Sequence, residues 1–401
     1  MDPKTKILTH NEDNKKSIIT PIYKTSTFIF DRAEDGEQIF KGQSKNFVYS
    51  RINHPNMITT EQKISIFDNS EESALFSSGM SAISTTMFSF LKPGDNILYT
   101  NPVYGGTNAF IEKILSKFNI KGISFSCGCN DITYLSELII KNDIKMIFIE
   151  TPCNPNMILT SIRMFYLIRK ELRKDILIVV DNTMAGPIFS KPFQNGADLC
   201  VYSATKFLGG HSDIIAGCVS GYKKYIDTVK SYRSMMGPIL DPDSCWLIER
   251  SLPTLELRMK QQYINTLIII DKCKRCKHIT NIYYTGYDSL ECEDKSRYTQ
   301  KYIYENEYTG GGSSIFSITL NTDKNTIFKI LNSLKIFKLA VSLGSVESLI
   351  QHPASMTHSS MIQEDKDKYN INDNLIRCSI GLEDPHELSN DLLKTICEFL
   401  D

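Results

Sequence analysis

The 401-residue chain lacks the bulk properties that recruit large charged partners. Lys plus Arg total 45 against 46 Asp plus Glu, a formal net charge of −1, so there is no one-signed field of the kind nucleic acid or an anionic membrane surface requires. No stretch approaches the roughly 18 consecutive apolar residues of a membrane span, and the opening Met1-Asp2-Pro3-Lys4-Thr5-Lys6 has no apolar core of a secretion signal. Tryptophan occurs once, at Trp246. The eleven cysteines are odd in number and lack a disulfide-framework spacing. Cys273 and Cys276 have CxxC spacing, but no second pair follows at zinc-ribbon distance. Together these absences predict a cytoplasmic protein in a reducing compartment, acting on a small molecule, with no nucleic acid, membrane or metal partner.

What is present is organised around Asp198-Leu-Cys-Val-Tyr-Ser203-Ala-Thr205-Lys206-Phe-Leu-Gly-Gly-His-Ser-Asp213. Its apolar run reads as a buried strand, with Ser203, Thr205 and Lys206 at the carboxyl end, where open α/β sheets place ligands. A lysine there has an ordinary pKa of roughly 10.4. Burial beside other cations lowers that value and yields a free amine able to form a Schiff base with an aldehyde. The competing reading is a solvated lysine in a loop after a strand.

The length accommodates two domains of ordinary size. Residues 1–56 are polar and lack sustained periodicity, which predicts an extended arm lying on another surface. A large domain is expected over 57–253 and a smaller C-terminal one over 254–401. A helix is expected from Thr59. Residues 94–220 alternate β-type and helical runs, predicting βαβ crossovers and one sheet. Its strands are expected at 96–100, 121–126, 144–150, 176–181, 199–203 and 214–220. Beyond it, a helical link is expected over 221–250 and a long helical segment from Thr254 to about Tyr284. A solvated excursion is expected over 286–308, a strand over 314–320 and a helix over 326–337. The stretch from Ser342 to His358 reads as a loop into the site; its two histidines suit a metal but lack a third ligand.

Residues with chemical uses fall where the strands end. Ser77-Ser78-Gly79-Met80 precedes an apolar-periodic segment, either an ordinary helix cap or a set of backbone N–H groups arranged for phosphate. Asp181 could keep a pyridine nitrogen protonated and so make a ring an electron sink. Tyr104 could stack on the ring face, and Asn154 could bond a ring hydroxyl. Taken singly, each has a bland counterpart: a capping aspartate, a core tyrosine, a turn asparagine. Their joint position at strand ends in one sheet is what those readings leave unexplained.

Tyr49-Ser-Arg51, Ser77-Ser-Gly79-Met80, Val103-Tyr104-Gly-Gly-Thr107, Glu150-Thr-Pro-Cys-Asn154-Pro155, Val180-Asp181-Asn-Thr183, Ser203-Ala-Thr205-Lys206 and Arg377-Cys-Ser-Ile-Gly-Leu-Glu383 together resemble the Cys/Met-metabolism family of pyridoxal-phosphate enzymes. They do so in order over residues 17–390, nearest to the methionine γ-lyases. The resemblance implies an α/β fold of the aminotransferase-like fold type I: a mostly parallel sheet in a large domain plus a smaller α+β C-terminal domain. It implies a homotetramer built from two active dimers. Pyridoxal 5′-phosphate would be held by Lys206 as the Schiff-base lysine, with Gly79, Met80, Ser203 and Thr205 on its phosphate. Tyr49 and Arg51 would reach the phosphate of the neighbouring subunit. Tyr104 would stack on the ring, Asp181 would pair its nitrogen, and Arg377 would clamp the substrate carboxylate.

Two departures from the methionine γ-lyase pattern stand out: Gly106 where those enzymes resemble Tyr-Gly-Cys-Thr, and Arg233-Ser234 where they carry a Lys-Asp pair. By contrast, Ser342 to His358 follows them closely. Relatives acting on cystathionine commonly have a glutamate before the serine matching Ser342, whereas this chain has Val341. The activity implied is α,γ-elimination of a sulfur amino acid, with Lys206 shuttling protons and Tyr104 as acid for the departing thiolate. From methionine the products are methanethiol, 2-oxobutanoate and ammonia. The alternatives are a cystathionine γ-lyase, a cystathionine γ-synthase, and a cofactor-binding protein without catalysis.

Overall fold

Alternate residues of the central strands enter two different cores, as a period of two demands. Ile147, Ile149, Ile178, Val180, Cys200 and Tyr202 pack on one face, while Met146, Phe148, Val179, Leu199 and Val201 pack on the other. These strands are buried on both sides, which explains near-continuous apolar runs without polar alternation. The computed structural model describes residues 1–10, 17–44, 46–285, 298–359 and 361–401. Its larger sheet contains β1 (Glu72–Phe76), β2 (Asn96–Asn101), β3 (Lys121–Ser126), β4 (Ile144–Glu150), β5 (Leu177–Asp181), β6 (Leu199–Ser203) and β7 (Gly217–Gly221). Their order is β1-β7-β6-β5-β4-β2-β3. All neighbours are parallel except β7, which is antiparallel to both β1 and β6.

Two expectations are corrected here. The sheet begins before residue 94, with β1. The strand expected over 214–220 starts at Gly217 and runs the other way, because residues 204–216 turn back beside β6 without a crossover helix. The expected link over 221–250 consists of two helices, Lys223–Met236 and Pro242–Ser251.

The second sheet contains β8 (Ile279–Tyr283), β9 (Ile315–Leu320), β10 (Lys338–Leu339), β11 (Leu349–Gln351) and β12 (Leu375–Ser379), in the order β10-β11-β12-β9-β8. It is antiparallel apart from the β10–β11 pair. Three helices share its core, contributing Ile269, Ile270 and Cys273, then Ile327, Ile330 and Leu331, then Leu388, Leu392 and Ile396. Each set has the three-to-four-residue spacing of one helix face. The helix Leu255–Cys273 starts in the first core, through Leu255 and Met259, and ends in this one.

That helix is shorter than expected. Its apolar spacing gives way to Lys274-Arg-Cys-Lys277, and β8 follows before Tyr284. The helix expected over 326–337 is Lys324–Ser333, capped by Asp323 accepting from Thr326 N at 2.9 Å. Of the expected solvated excursion, 286–297 lie outside the described residues, and Gln300–Glu307 is a helix with Ile303 and Glu307 buried. The N-terminal arm is not wholly extended: it contains the helices Pro3–Thr9 and Ala33–Phe40. The first is anchored by buried Ile7, a contact that a single apolar residue in a polar stretch does not advertise.

Candidate active site

The carboxyl ends of β4, β5 and β6 form one rim because the strands are parallel neighbours. A cavity of about 610 Å³ opens there, lined from β4 by Glu150 and Asn154, from β5 by Asp181 and Thr183, and from β6 by Ser203, Thr205 and Lys206. Gly79 and Met80 line it from the start of the helix Gly79–Phe90, and Tyr104 from the turn after β2. The second sheet closes it with Val341, Ser342 and Arg377.

Lys206 lies in the turn after β6, where its N–H donates to the Ser203 carbonyl at 3.0 Å and its Nζ donates to Ser342 Oγ at 2.6 Å. Burial, reinforced by the charge of Arg377, lowers its pKa to about 8. The amine is therefore partly deprotonated near neutral pH and available as a nucleophile.

Ser78 caps the helix Gly79–Phe90 by accepting from Ser81 N at 3.0 Å. The first-turn N–H groups of Gly79 and Met80 have no acceptor within the helix. Glycine at 79 permits close approach to β6: a Cβ would crowd Ser203 at 3.0 Å from its Cα. Ser203 is fixed by its N–H donating to Thr183 Oγ1 at 2.8 Å. The Thr205 hydroxyl is already engaged, accepting from Ala216 N at 2.9 Å and donating to its carbonyl at 3.2 Å.

Asp181 is buried and accepts from Thr183 N at 3.1 Å. Beside it, in register across β4 and β5, lies Glu150. Its Oε2 accepts from Tyr104 N at 2.7 Å and its Oε1 from Asn154 N at 3.1 Å. Burial raises the pKa of both acids, and the charge of Asp181 helps to push Glu150 up to about 8. Among the described residues neither acid has an ion pair, so the pair has room for an added positive charge.

Arg377, on β12, is buried. It donates to Asn154 Oδ1 at 3.0 Å and to the Ser342 carbonyl at 2.6 Å. With the Gln351 amide assigned oxygen inward, that oxygen also accepts from the guanidinium at 3.0–3.2 Å. Burial lowers the Arg377 pKa to about 10.

Every sequence-predicted site residue lines this cavity except Tyr49 and Arg51. Arg51 instead donates to the Ser234 carbonyl at 2.6 Å, with its guanidinium 5.6 Å from the Tyr49 ring centre. Arg233, one of the two departures, is buried away from the cavity, paired with Glu61 at 2.6 Å and donating to the Leu75 carbonyl at 2.7 Å. The other departure does touch the site: a Cβ at Gly106 would lie 2.6 Å from Tyr104 Cε1 and 2.9 Å from Met80 Sδ. His352 is held by Ser355 and the Asp373 carbonyl, and so serves its own loop. Sequence reading gave no role to Glu150, Thr183 or Gln351. An acid directly after the apolar run Met146–Ile149 was the available signal for Glu150; Gln351 carried none.

The donor set suits a flat ring bearing an aldehyde and a phosphate. It offers an amine of lowered pKa, open N–H groups at a helix start beside Ser203, and a buried acid pair that a protonated ring nitrogen would balance. Comparison with known proteins agrees. The family model for Cys/Met metabolism PLP-dependent enzymes matches residues 4–397. The chain is 35% identical to the L-methionine gamma-lyase of Porphyromonas gingivalis, over 94% of this chain and 91% of that protein. It is 34% identical to the cystathionine gamma-lyase of Mus musculus, over 94% and 90%. The crystal structure of cystathionine gamma-lyase from Lactobacillus plantarum, complexed with L-serine, superposes with a TM-score of 0.89 at 30% identity, covering all of both chains. With a cleft whose lysine, acids and helix start fit pyridoxal 5′-phosphate, and with matches along nearly its whole length, this chain belongs to the Cys/Met-metabolism family of pyridoxal-phosphate-dependent lyases and synthases.

Proposed function

We propose that the protein eliminates the γ-substituent of a sulfur amino acid, with L-methionine as the preferred substrate. The observation that carries this reading is the distribution of charge around the cavity. Its charged lining groups are Glu150, Asp181, Lys206 and Arg377. Glu150 and Asp181 adjoin one another, and Lys206 and Arg377 are joined through Ser342. The rest includes Ile83, Met184, Ile215, Val341, Leu343 and Met356. Among the described residues that lining suits a thiomethyl group and offers no further carboxylate for the second ammonium of cystathionine.

Bound pyridoxal phosphate supplies an electron sink for the negative charge left at the substrate α-carbon. Asp181 holds the ring nitrogen protonated, Tyr104 stacks on the ring, and Asn154 bonds its hydroxyl. Gly79, Met80 and Ser203 bind the phosphate, and Thr205 joins them by turning its hydroxyl away from the Ala216 carbonyl. Arg377 binds the substrate carboxylate, already oriented by Asn154, Ser342 and Gln351. Lys206, through its amine, takes the α-proton and moves a proton at the β-carbon. The Tyr104 hydroxyl protonates the departing thiolate. Methionine and water thus give methanethiol, 2-oxobutanoate and ammonia.

The active unit in this reading is a homodimer, two of which form a tetramer, with Tyr49 and Arg51 serving the neighbouring site. Ile18 and Ile29 in the arm are 97% and 95% exposed, surface that a second copy would cover. Residues 1–56 act as the arm, 57–253 as the cofactor domain and 254–401 as the closing domain. Every cysteine among the described residues is free, which supports a reducing, cytoplasmic setting.

The test is a side-by-side measurement of kcat/KM for methionine, homocysteine, cystathionine, and O-acylhomoserine plus cysteine. Methionine and homocysteine should lead, and Lys206→Ala should abolish turnover. A clear preference for cystathionine, or efficient γ-replacement with little elimination, would move the assignment to cystathionine γ-lyase or γ-synthase. Wild-type turnover of none of them would favour a non-catalytic protein.

A further inference from the structure

We infer that Glu150 is a positioning residue whose two carboxyl oxygens hold the ring-stacking and ring-hydroxyl groups, Tyr104 and Asn154, in fixed relation to Asp181; this rests on the reading above. The two segments concerned come from different strands, the turn after β2 and the turn after β4. Glu150 joins them with one oxygen for each: Oε2 for Tyr104 N and Oε1 for Asn154 N. Its own N–H donates to Thr100 Oγ1 at 3.0 Å, a third tie back to β2. At 3% exposure, and lacking an ion pair among the described residues, the carboxyl is in a costly place.

The geometry explains why an acid stands there. Two N–H donors approach opposite oxygens, so both atoms must accept, and a glutamine amide would turn a donor toward one of them. One of the two backbone segments would then lose its anchor. A shift at Tyr104 moves the stacking ring, and a shift at Asn154 moves both the ring-hydroxyl contact and an Arg377 partner. Glu150 acts through these neighbours and not on the reacting atoms.

The experiment compares holoenzyme Glu150→Gln and Glu150→Asp with wild type by the absorption band of the bound cofactor, its pH midpoint, and kcat and KM for methionine. Glu150→Gln should shift the midpoint by at least half a pH unit and lower kcat tenfold or more, with KM changed less. Glu150→Asp keeps both acceptor oxygens and should recover part of kcat. A folded Gln variant with wild-type band, midpoint and kcat would overturn the role. If the Gln variant fails to fold, the Asp variant decides: its shorter side chain should move the midpoint, and an unmoved midpoint with unchanged kcat refutes the proposal. Wild-type turnover and cofactor binding test the underlying function; the difference between variant and wild type tests Glu150.

Discussion

Lys206 donates from Nζ to Ser342 Oγ at 2.6 Å, and Ser342 makes that contact from a backbone φ of 96°. The bond joins the turn after β6 to the loop between β10 and β11, so the two sheets meet at the reactive amine. A non-glycine residue at such a φ costs on the order of 1–3 kcal/mol, persists only when its surroundings impose it, and is typical of functional sites. Here the imposing groups are Lys206 and Arg377, which bond the Ser342 hydroxyl and carbonyl respectively.

Removing the hydroxyl and relieving the backbone can be separated. Ser342→Ala should lower kcat about tenfold, the equivalent of one hydrogen bond of about 1.4 kcal/mol. Ser342→Gly should lose as much activity yet unfold later than the alanine variant by about 1 kcal/mol, because glycine adopts positive φ freely. Urea denaturation and steady-state kinetics read the two effects. Wild-type kcat in the alanine variant would make the contact incidental.

The lowered pKa of Lys206 sets a pH window. Its folded value of about 8 lies below the ordinary 10.5, so between those values the unfolded chain holds more protons than the folded one. The stability of the cofactor-free protein should therefore rise with pH across that interval, by at most about 3.5 kcal/mol from this group. Attachment of cofactor to the free amine should likewise accelerate with a midpoint near 8. Stopped-flow reconstitution checks this, and a midpoint near 10.5 would contradict the buried environment.

Arg51 lies outside its own chain's cavity, which makes its function testable by mixing. Lys206→Ala and Arg51→Ala should each be inactive alone. After subunit exchange some mixed dimers carry one site with both residues intact, and activity should return. Absence of recovery, with exchange verified by mass spectrometry, would show that the arm serves its own chain.

Val341 is 56% exposed within a single chain and lines the cavity. Val341→Glu gives a second substrate ammonium a partner worth on the order of 1–3 kcal/mol. It removes apolar surface that contributes about 1–2 kcal/mol to a buried thiomethyl group. The ratio of kcat/KM for methionine over cystathionine should fall tenfold or more. An unchanged ratio would remove Val341 from the specificity determinants.

Much of this was legible in the chain itself. The apolar runs of β4, β5 and β6 carry their own boundaries because the two-face-buried part of a strand leaves little room for polar residues, and the chemistry begins where the runs stop, at Glu150, Asp181 and Ser203. Those ends, with Lys206, Tyr104 and Arg377, are local features, and local chemistry is what sequence records. Only the tertiary structure decided which groups face each other. The reversal of β7 depends on how residues 204–216 turn. The partners of Glu150 follow its own strand, 4 residues on, and the neighbouring strand β2, 46 residues back. Gln351 reaches Arg377 only because β11 and β12 pair antiparallel with those two residues in register. Arg233, suspect as a specificity residue, proved to be a buried partner of Glu61, 172 positions away. A hydrogen bond falls off within an ångström, so its partners are fixed by strand register and packing, which no single stretch of residues specifies.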